Sequence, residues 1–564
     1  MKPFWVTFYS YKGGVGRSLA LANTAALLVK RGRRVLLIDF DLEAPGLDSF
    51  AELAPAAAGK PGVVEYVSEF LHHKSAPDIQ PYVHHCDLPG PLRGKLSVMP
   101  AGRRDAAYNH QLAHIDWTGL YESGLGTPFF ENWKAAVDRH FQPDYVFVDS
   151  RTGLTEVGGV CTTQFPDLVM MLFGLNEQNV SGVAAVAKSI READPDRVPQ
   201  IHFVATPVPN LPPDQRGILV DRRTMERRSQ LTERMDAAAE QLGVKVNSTI
   251  RYYSPASLSE KLFVLEDGFM RQPINADYER LCEEITNFNR TGLDFLIKQA
   301  NEAISEGDST RIERLTNVLQ RDFGDRAESI YLLSRFAVAR NETAEAVALA
   351  EKALQLDPAY EDAFDFLSSH YTRTNQPERA VALSDTLLDH PELLSPDRRY
   401  AVMQEHGHTL MALGRYTDAR KCYSECLRYA REDGVPPALM LVHGFNSAES
   451  HRRATREIDK DSWKNVAELF GLAGASSDAP SPSQANQLQA MHIAYACSGS
   501  ISGARDALRK ARRAAESVGE IEDIFSVKDY RMVPVAEFLE INDEMVAALD
   551  RGELWDGMKL PAAK

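Results

Sequence analysis

Over the first 290 residues, runs of four to six apolar residues recur between stretches with helical spacing. They are Phe4–Tyr9, Val35–Ile38, Leu96–Met99, Tyr145–Val148, Leu168–Phe173 and Ile201–Val204. Short, wholly apolar runs bounded by Gly, Pro or Asp predict strands buried on both faces, as in a parallel sheet. Their alternation with helices predicts βαβ units and a doubly wound, mostly parallel α/β domain over residues 1–290. Two segments break the rhythm and predict loops: Ala54–Gly62, rich in Ala, Pro and Gly, and Thr206–Gly217, with four prolines.

Beyond residue 290 the strand runs stop and the spacing becomes helical. A repeat of about 34 residues then emerges. Ala346, Ala353 and Pro358 are echoed by Ala380, Leu387 and Pro391, after the aromatics Phe364 and Tyr371. A third unit carries Gly407, Gly414, Ala419, Tyr423 and Cys426, and a weaker fourth Tyr495, Ala504 and Ala511. Small residues let paired helices approach, and aromatics fill the seam to the next pair. The pattern resembles tetratricopeptide repeats, which implies an all-α solenoid over residues 291–564 with a face for a protein partner. Gly471–Ala485 reads as a loop between repeats.

Composition narrows the classes. The 564 residues are 44% hydrophobic and 25% charged, ordinary for a folded protein. No apolar run reaches the ~18 residues of a membrane helix, and the N-terminus lacks a signal-peptide pattern. Six cysteines without a CxxC pair argue against a disulfide framework and for a cytoplasmic setting. The net charge of −16 is concentrated after residue 290, where 32 basic residues face 44 acidic ones. Such a field repels phosphate polymers and argues against nucleic acid as partner.

The strongest local signal is FYSYKGGVGRSLALAN. A strand enters a glycine-rich loop, and a helix follows from about Arg17. A helix N-terminus offers unpaired amides and positive polarity to phosphate. Gly13, Gly14 and Gly16 let the backbone come close, and Ser18 stands where a P-loop places its Mg²⁺-binding hydroxyl. Two further carboxylate groups follow strands: Asp39 and Asp41 in LLIDFDLEAPGLD, and Asp149 in YVFVDSRTG. Strand C-terminal ends are where α/β sheets build their sites.

With Lys12 ahead of the first glycine, KGGVGR resembles the deviant Walker A motif of ParA/MinD-type P-loop ATPases. The resemblance covers about residues 3–290. It implies ATP and Mg²⁺ as ligands and an ATP-dependent homodimer in which Lys12 reaches the partner's nucleotide. Gly13, Gly14, Val15, Gly16, Arg17, Ser18 and Leu19 would bind the nucleotide. Ser18, Asp39 and Asp149 would hold Mg²⁺, and Asp41 would orient the attacking water. Thr206 and Pro207 would lie at the base, beside Tyr253–Pro255, although the family's asparagine is missing there. A second departure is Arg17, where the family's usual P-loop lysine stands. An arginine fork fills more space than an ammonium, which puts hydrolysis in question. The KGGVGR spelling also resembles a bacterial branch met near anti-phage defence genes.

Other features are weighed down. The basic run Arg216, Arg222, Arg223, Arg227, Arg228 and Arg234 lies where partition ATPases touch DNA, but Asp221, Glu226 and Glu233 interrupt it like a solvated helix face. His72, His73, His84, His85 and Cys86 read as surface loop rather than metal ligands, and Cys422 and Cys426 as small core residues. Arg151 is extra positive charge near the phosphates or a plain ion pair. The reading is therefore a Mg-ATP-dependent switch with a repeat domain for a partner protein. Its alternatives are a nucleotide-binding scaffold with little turnover and a DNA-positioning ATPase.

Overall fold

A computed structural model describes all residues except 1, 91, 154, 194–197, 212–221, 245, 247, 267–268, 270–271, 433–436, 474–480, 519–522 and 562–564. The chain divides into two compact units, Met1–Gly324 and Asp325–Lys564.

The first unit is built on an eight-stranded sheet. Its strands are β1 (Phe4–Ser10), β2 (Arg34–Asp39), β3 (His84–Cys86), β4 (Lys95–Met99), β5 (Tyr145–Asp149), β6 (Leu168–Phe173), β7 (Gln200–Val208) and β8 (Ser248–Arg251). Their order is β3-β4-β2-β5-β1-β6-β7-β8, and every pair is parallel except β3 with β4. Each inner strand sends alternate apolar residues to opposite faces. Val6, Phe8, Val35, Leu37 and Phe147 pack under the first helix, α1 (Arg17–Lys30), and under helix Pro273–Phe288. Trp5, Leu36, Ile38, Val146 and Val148 meet an aromatic cluster of Phe40, Tyr66, Phe129, Trp133 and Phe165. Burial on both faces is why these strands read as unbroken apolar runs.

Three sequence expectations change. His84–Cys86 is an edge strand rather than a surface loop; its backbone pairs with β4 in an antiparallel register from His84 opposite Val98. Ala54–Gly62 is not purely loop, since Ala54–Ala57 forms one helical turn. Gly62 follows it because a Cβ there would come within 1.8 Å of the Pro100 carbonyl oxygen. The switch to helices near residue 290 falls inside the first unit: Arg33 grips Asp294 with two bonds of 2.9 Å, and the Tyr145 hydroxyl donates to the same carboxylate at 3.1 Å. Most of Thr206–Gly217, with Arg216 and Asp221, and residues 474–480 of Gly471–Ala485 lie outside the described residues.

The second unit is a succession of antiparallel helices. Ala346, Ala350 and Ala353 of helix Thr343–Leu356 are wholly buried, as are Ala363 and Leu367 of the next helix. In the pair Pro396–Ala412 and Tyr416–Glu432, a Cβ at Gly407 would lie 2.8 Å from the buried Tyr423 ring, so only glycine admits that ring. One correction applies. A hairpin of β9 (Asp523–Ser526) and β10 (Arg531–Pro534) interrupts the helices before helix Val535–Asp550. Among the described residues no helix is long and apolar enough to cross a membrane.

Candidate phosphate and cation site

The central strands β2, β5 and β1 are neighbours, and their C-terminal ends place the site. Asp39 stands opposite Asp149 in the β2–β5 register, and Phe8 opposite Asp149 in β1–β5. Beyond β1 the chain turns through the glycine loop into α1. Gly14 and Gly16 take left-handed dihedrals, φ 79° and 77°, which favour glycine. A Cβ on Gly13, Gly14 or Gly16 would meet nothing within 4 Å among the described residues, so an open space faces the loop backbone. Lys12 and the three glycines are exposed, whereas Val15 is buried.

At the first turn of α1 the side chains turn towards the carboxylates. Arg17 is buried, with 7% of its side chain exposed. Its Nε donates to Asp149 Oδ1 at 2.5 Å and its Nη2 to Asp41 Oδ2 at 2.7 Å. Its Nη1 is buried and has no hydrogen-bond partner among the described residues. Ser18 Oγ donates to the other Asp149 oxygen at 2.5 Å. Asp39 is held differently: its Oδ1 accepts the Asp41 amide at 3.1 Å, and its Oδ2 the Gly46 and Leu47 amides at 3.2 and 3.1 Å.

The charge balance follows. Three carboxylates gather here, Asp39 and Asp149 fully buried, and one guanidinium pairs with two of them, Asp41 and Asp149. Burial, and next the Asp149 charge, push Asp39 up to about 8. Burial raises Asp149 as well, against the pull of Arg17 and Ser18. The carboxylates hold Arg17 above its usual value despite burial. A centre that penalises its own anions in this way suits a cation. Among the described residues no three His, Cys, Asp or Glu side chains gather as a metal cage. A divalent ion here would therefore rest on Ser18, one or two carboxylates and ligand oxygens, a donor set that fits Mg²⁺ with a nucleotide.

The other expected residues fall around this centre. Lys12 lies away from it, with its Nζ bonded to Gln178 Oε1. Thr206, near the end of β7, donates to the Val15 carbonyl at 3.2 Å and so steadies the loop; Pro207 is exposed and Leu19 half-buried. Arg151 pairs with Glu43. Sequence reasoning missed Gln178 and Glu43. Glu43 could have been found in the segment after Asp41, but Gln178 has no local signal.

The family model of the CobQ/CobB/MinD/ParA nucleotide-binding domain matches residues 6–356. The chain belongs to that family. A tetratricopeptide repeat model matches residues 400–433, the third repeat unit. Among solved structures, this family member is similar to the Pyrococcus furiosus cell division ATPase MinD at 17% identity, over 50% of this chain and 98% of that one, with a TM-score of 0.35. It is also similar to Pyrococcus horikoshii MinD complexed with Mg-ADP, at 14% identity over 50% and 96% of the chains, TM-score 0.34. A third is the Cyanothece McdA–ATP complex, at 15% identity over 51% and 96%, TM-score 0.35. No curated protein matches the chain.

Proposed function

We propose that this chain is a Mg-ATP-dependent, dimerising molecular switch whose helical repeats engage a partner protein. The observation that carries the reading is the meeting of Ser18, Asp39, Asp41 and Asp149 at adjacent strand ends beside an open glycine loop. In this reading the Gly13–Ser18 amides and the start of α1 bind the phosphates, and Ser18, Asp39 and Asp149 hold the ion. Bound Mg²⁺ would neutralise charge on the phosphate oxygens. Asp41, half-buried at the rim, orients water. Lys12 is exposed on the loop and free to exchange Gln178 for a second copy's nucleotide. Sedimentation of the full chain tests this: ATP should drive wild type, and more fully Asp41→Ala, towards a dimer. No shift in either overturns it.

One observation favours a second reading, a scaffold that binds nucleotide and turns it over slowly. Arg17 engages both Asp149 and Asp41, groups that turnover would need. Steady-state phosphate release decides: activity lost in Asp41→Ala excludes the inert scaffold. For the pathway, the KGGVGR spelling supports a bacterial anti-phage role. Phage plating on cells carrying wild type or Asp41→Ala tests it, and equal plating on both and on cells lacking the gene overturns it.

A further inference from the structure

The three carboxylates around the phosphate loop are not held alike. Asp39 is fixed by three backbone amides of its own strand end and the following turn. Asp149 has one oxygen on Arg17 and the other on Ser18. Among the described residues the Asp41 carboxylate is bonded to Arg17 alone. A single guanidinium therefore sets where Asp41 lies, and sets it against Asp149. Lysine could not do this, because one ammonium lacks the planar fork that reaches two carboxylates in fixed directions. The fork also keeps a donor in reserve. Nη1 is buried and unpartnered among the described residues, a costly state that an incoming oxygen would relieve. Arg17 is the first residue of α1, next to Gly16, so that donor lies at the start of the same helix whose amides face the loop.

We propose that Arg17 is a positioning residue for Asp41. Without nucleotide it clamps Asp41 to Asp149. Phosphate oxygens in the glycine loop compete with both carboxylates for the guanidinium, and Asp41 is released as the loop fills. Loop occupancy and the availability of Asp41 thus become one equilibrium, with Arg17 as the shared group. This rests on the nucleotide-binding reading above.

Calorimetry with ADP on the full-length chain, without and with Mg²⁺, tests it through a double-mutant cycle. Asp41→Asn removes a competitor for Arg17. It should tighten ADP binding about ten-fold in the wild-type background, yet less than about two-fold beside Arg17→Lys. Plain repulsion between Asp41 and phosphate predicts the same gain in both backgrounds, and that result overturns the clamp. Hydrogen exchange of the nucleotide-free chain supplies a second measurement. Asp41→Asn and Arg17→Lys should each speed exchange about ten-fold over residues 40–47, the segment after β2, and leave the sheet itself unchanged. Unchanged exchange there, or a rise across the whole unit, also overturns it. If wild type shows no heat with ADP or ATP, the nucleotide reading fails by itself, and the exchange result alone decides the clamp.

Discussion

At the residue scale, the two units treat buried charge in the same way and to different ends. In the second unit Arg452 is completely buried. It donates to both oxygens of the equally buried Glu449, at 2.8 and 2.6 Å, and to Asp556 at 2.7 Å. The arginines hold Glu449 below the usual carboxylate range against the effect of burial. Arg452→Ala would leave Glu449 in the interior with Arg453 as its remaining cation. We expect a loss of about 3–5 kcal/mol in urea unfolding, against less than about 1 kcal/mol for Arg505→Ala, whose pair with Asp550 is exposed. Arg17 lies in a similar interior, but its third nitrogen has no partner among the described residues and its neighbours are the residues of a site. This difference was not legible in the chain. The spacing of KGGVGRS and the DxD showed which residues gather, because strand–loop–helix geometry fixes their backbone. It could not show that Arg17 turns to Asp149, 132 residues away, since a side chain's rotamer is chosen by neighbours that only the fold supplies.

At the scale of elements, the long signals held and the short ones did not. Leu168–Phe173 is a strand with the boundaries expected from its apolar run, since both faces are covered. β3, β8, β9 and β10 were missed. Each has three or four residues and lies at an edge or in a lone hairpin, where one face meets solvent and polar residues break the run. In the repeats the legible feature was the pairing of small residues with aromatics, and its energetics can be tested at Gly407. The 2.8 Å approach to Tyr423 leaves no room for a methyl group, and the ring is wholly buried. Gly407→Ala should lower the urea midpoint by the equivalent of about 1–3 kcal/mol despite alanine's better helix propensity. Combined with Tyr423→Leu, it should cost clearly less than the sum of the two single changes, because the shorter side chain vacates the space. Additive losses would mean the crowding is absent.

At the scale of the whole molecule, acidity is the variable that distinguishes the second unit's buried polar groups. His443 and His492 are almost wholly buried, and burial lowers each to about 4. Around His492 stand the Gln489 carbonyl, at 2.7 Å from Nδ1, and more distantly Glu449 and Arg452; His443 bonds the Tyr400 hydroxyl. Both are neutral in the folded chain at pH 5, whereas the unfolded chain takes up protons below about pH 6.5. The unfolded state then binds more protons than the folded one, so stability falls with pH between about 6.5 and 4. Each histidine should account for about 1–2 kcal/mol between pH 7 and pH 5. Glu449 and Asp556, held low by Arg452, lose their contribution as pH falls below the ordinary carboxylate value of about 4, mostly outside this window. Urea unfolding at pH 7 and pH 5 separates the effects. His492→Gln should cost stability at both pH values through its lost packing, but it should shrink the difference between them by one histidine's share. An unchanged difference would show that His492 takes up its proton in the folded chain, and that the Glu449 charge outweighs burial at that position.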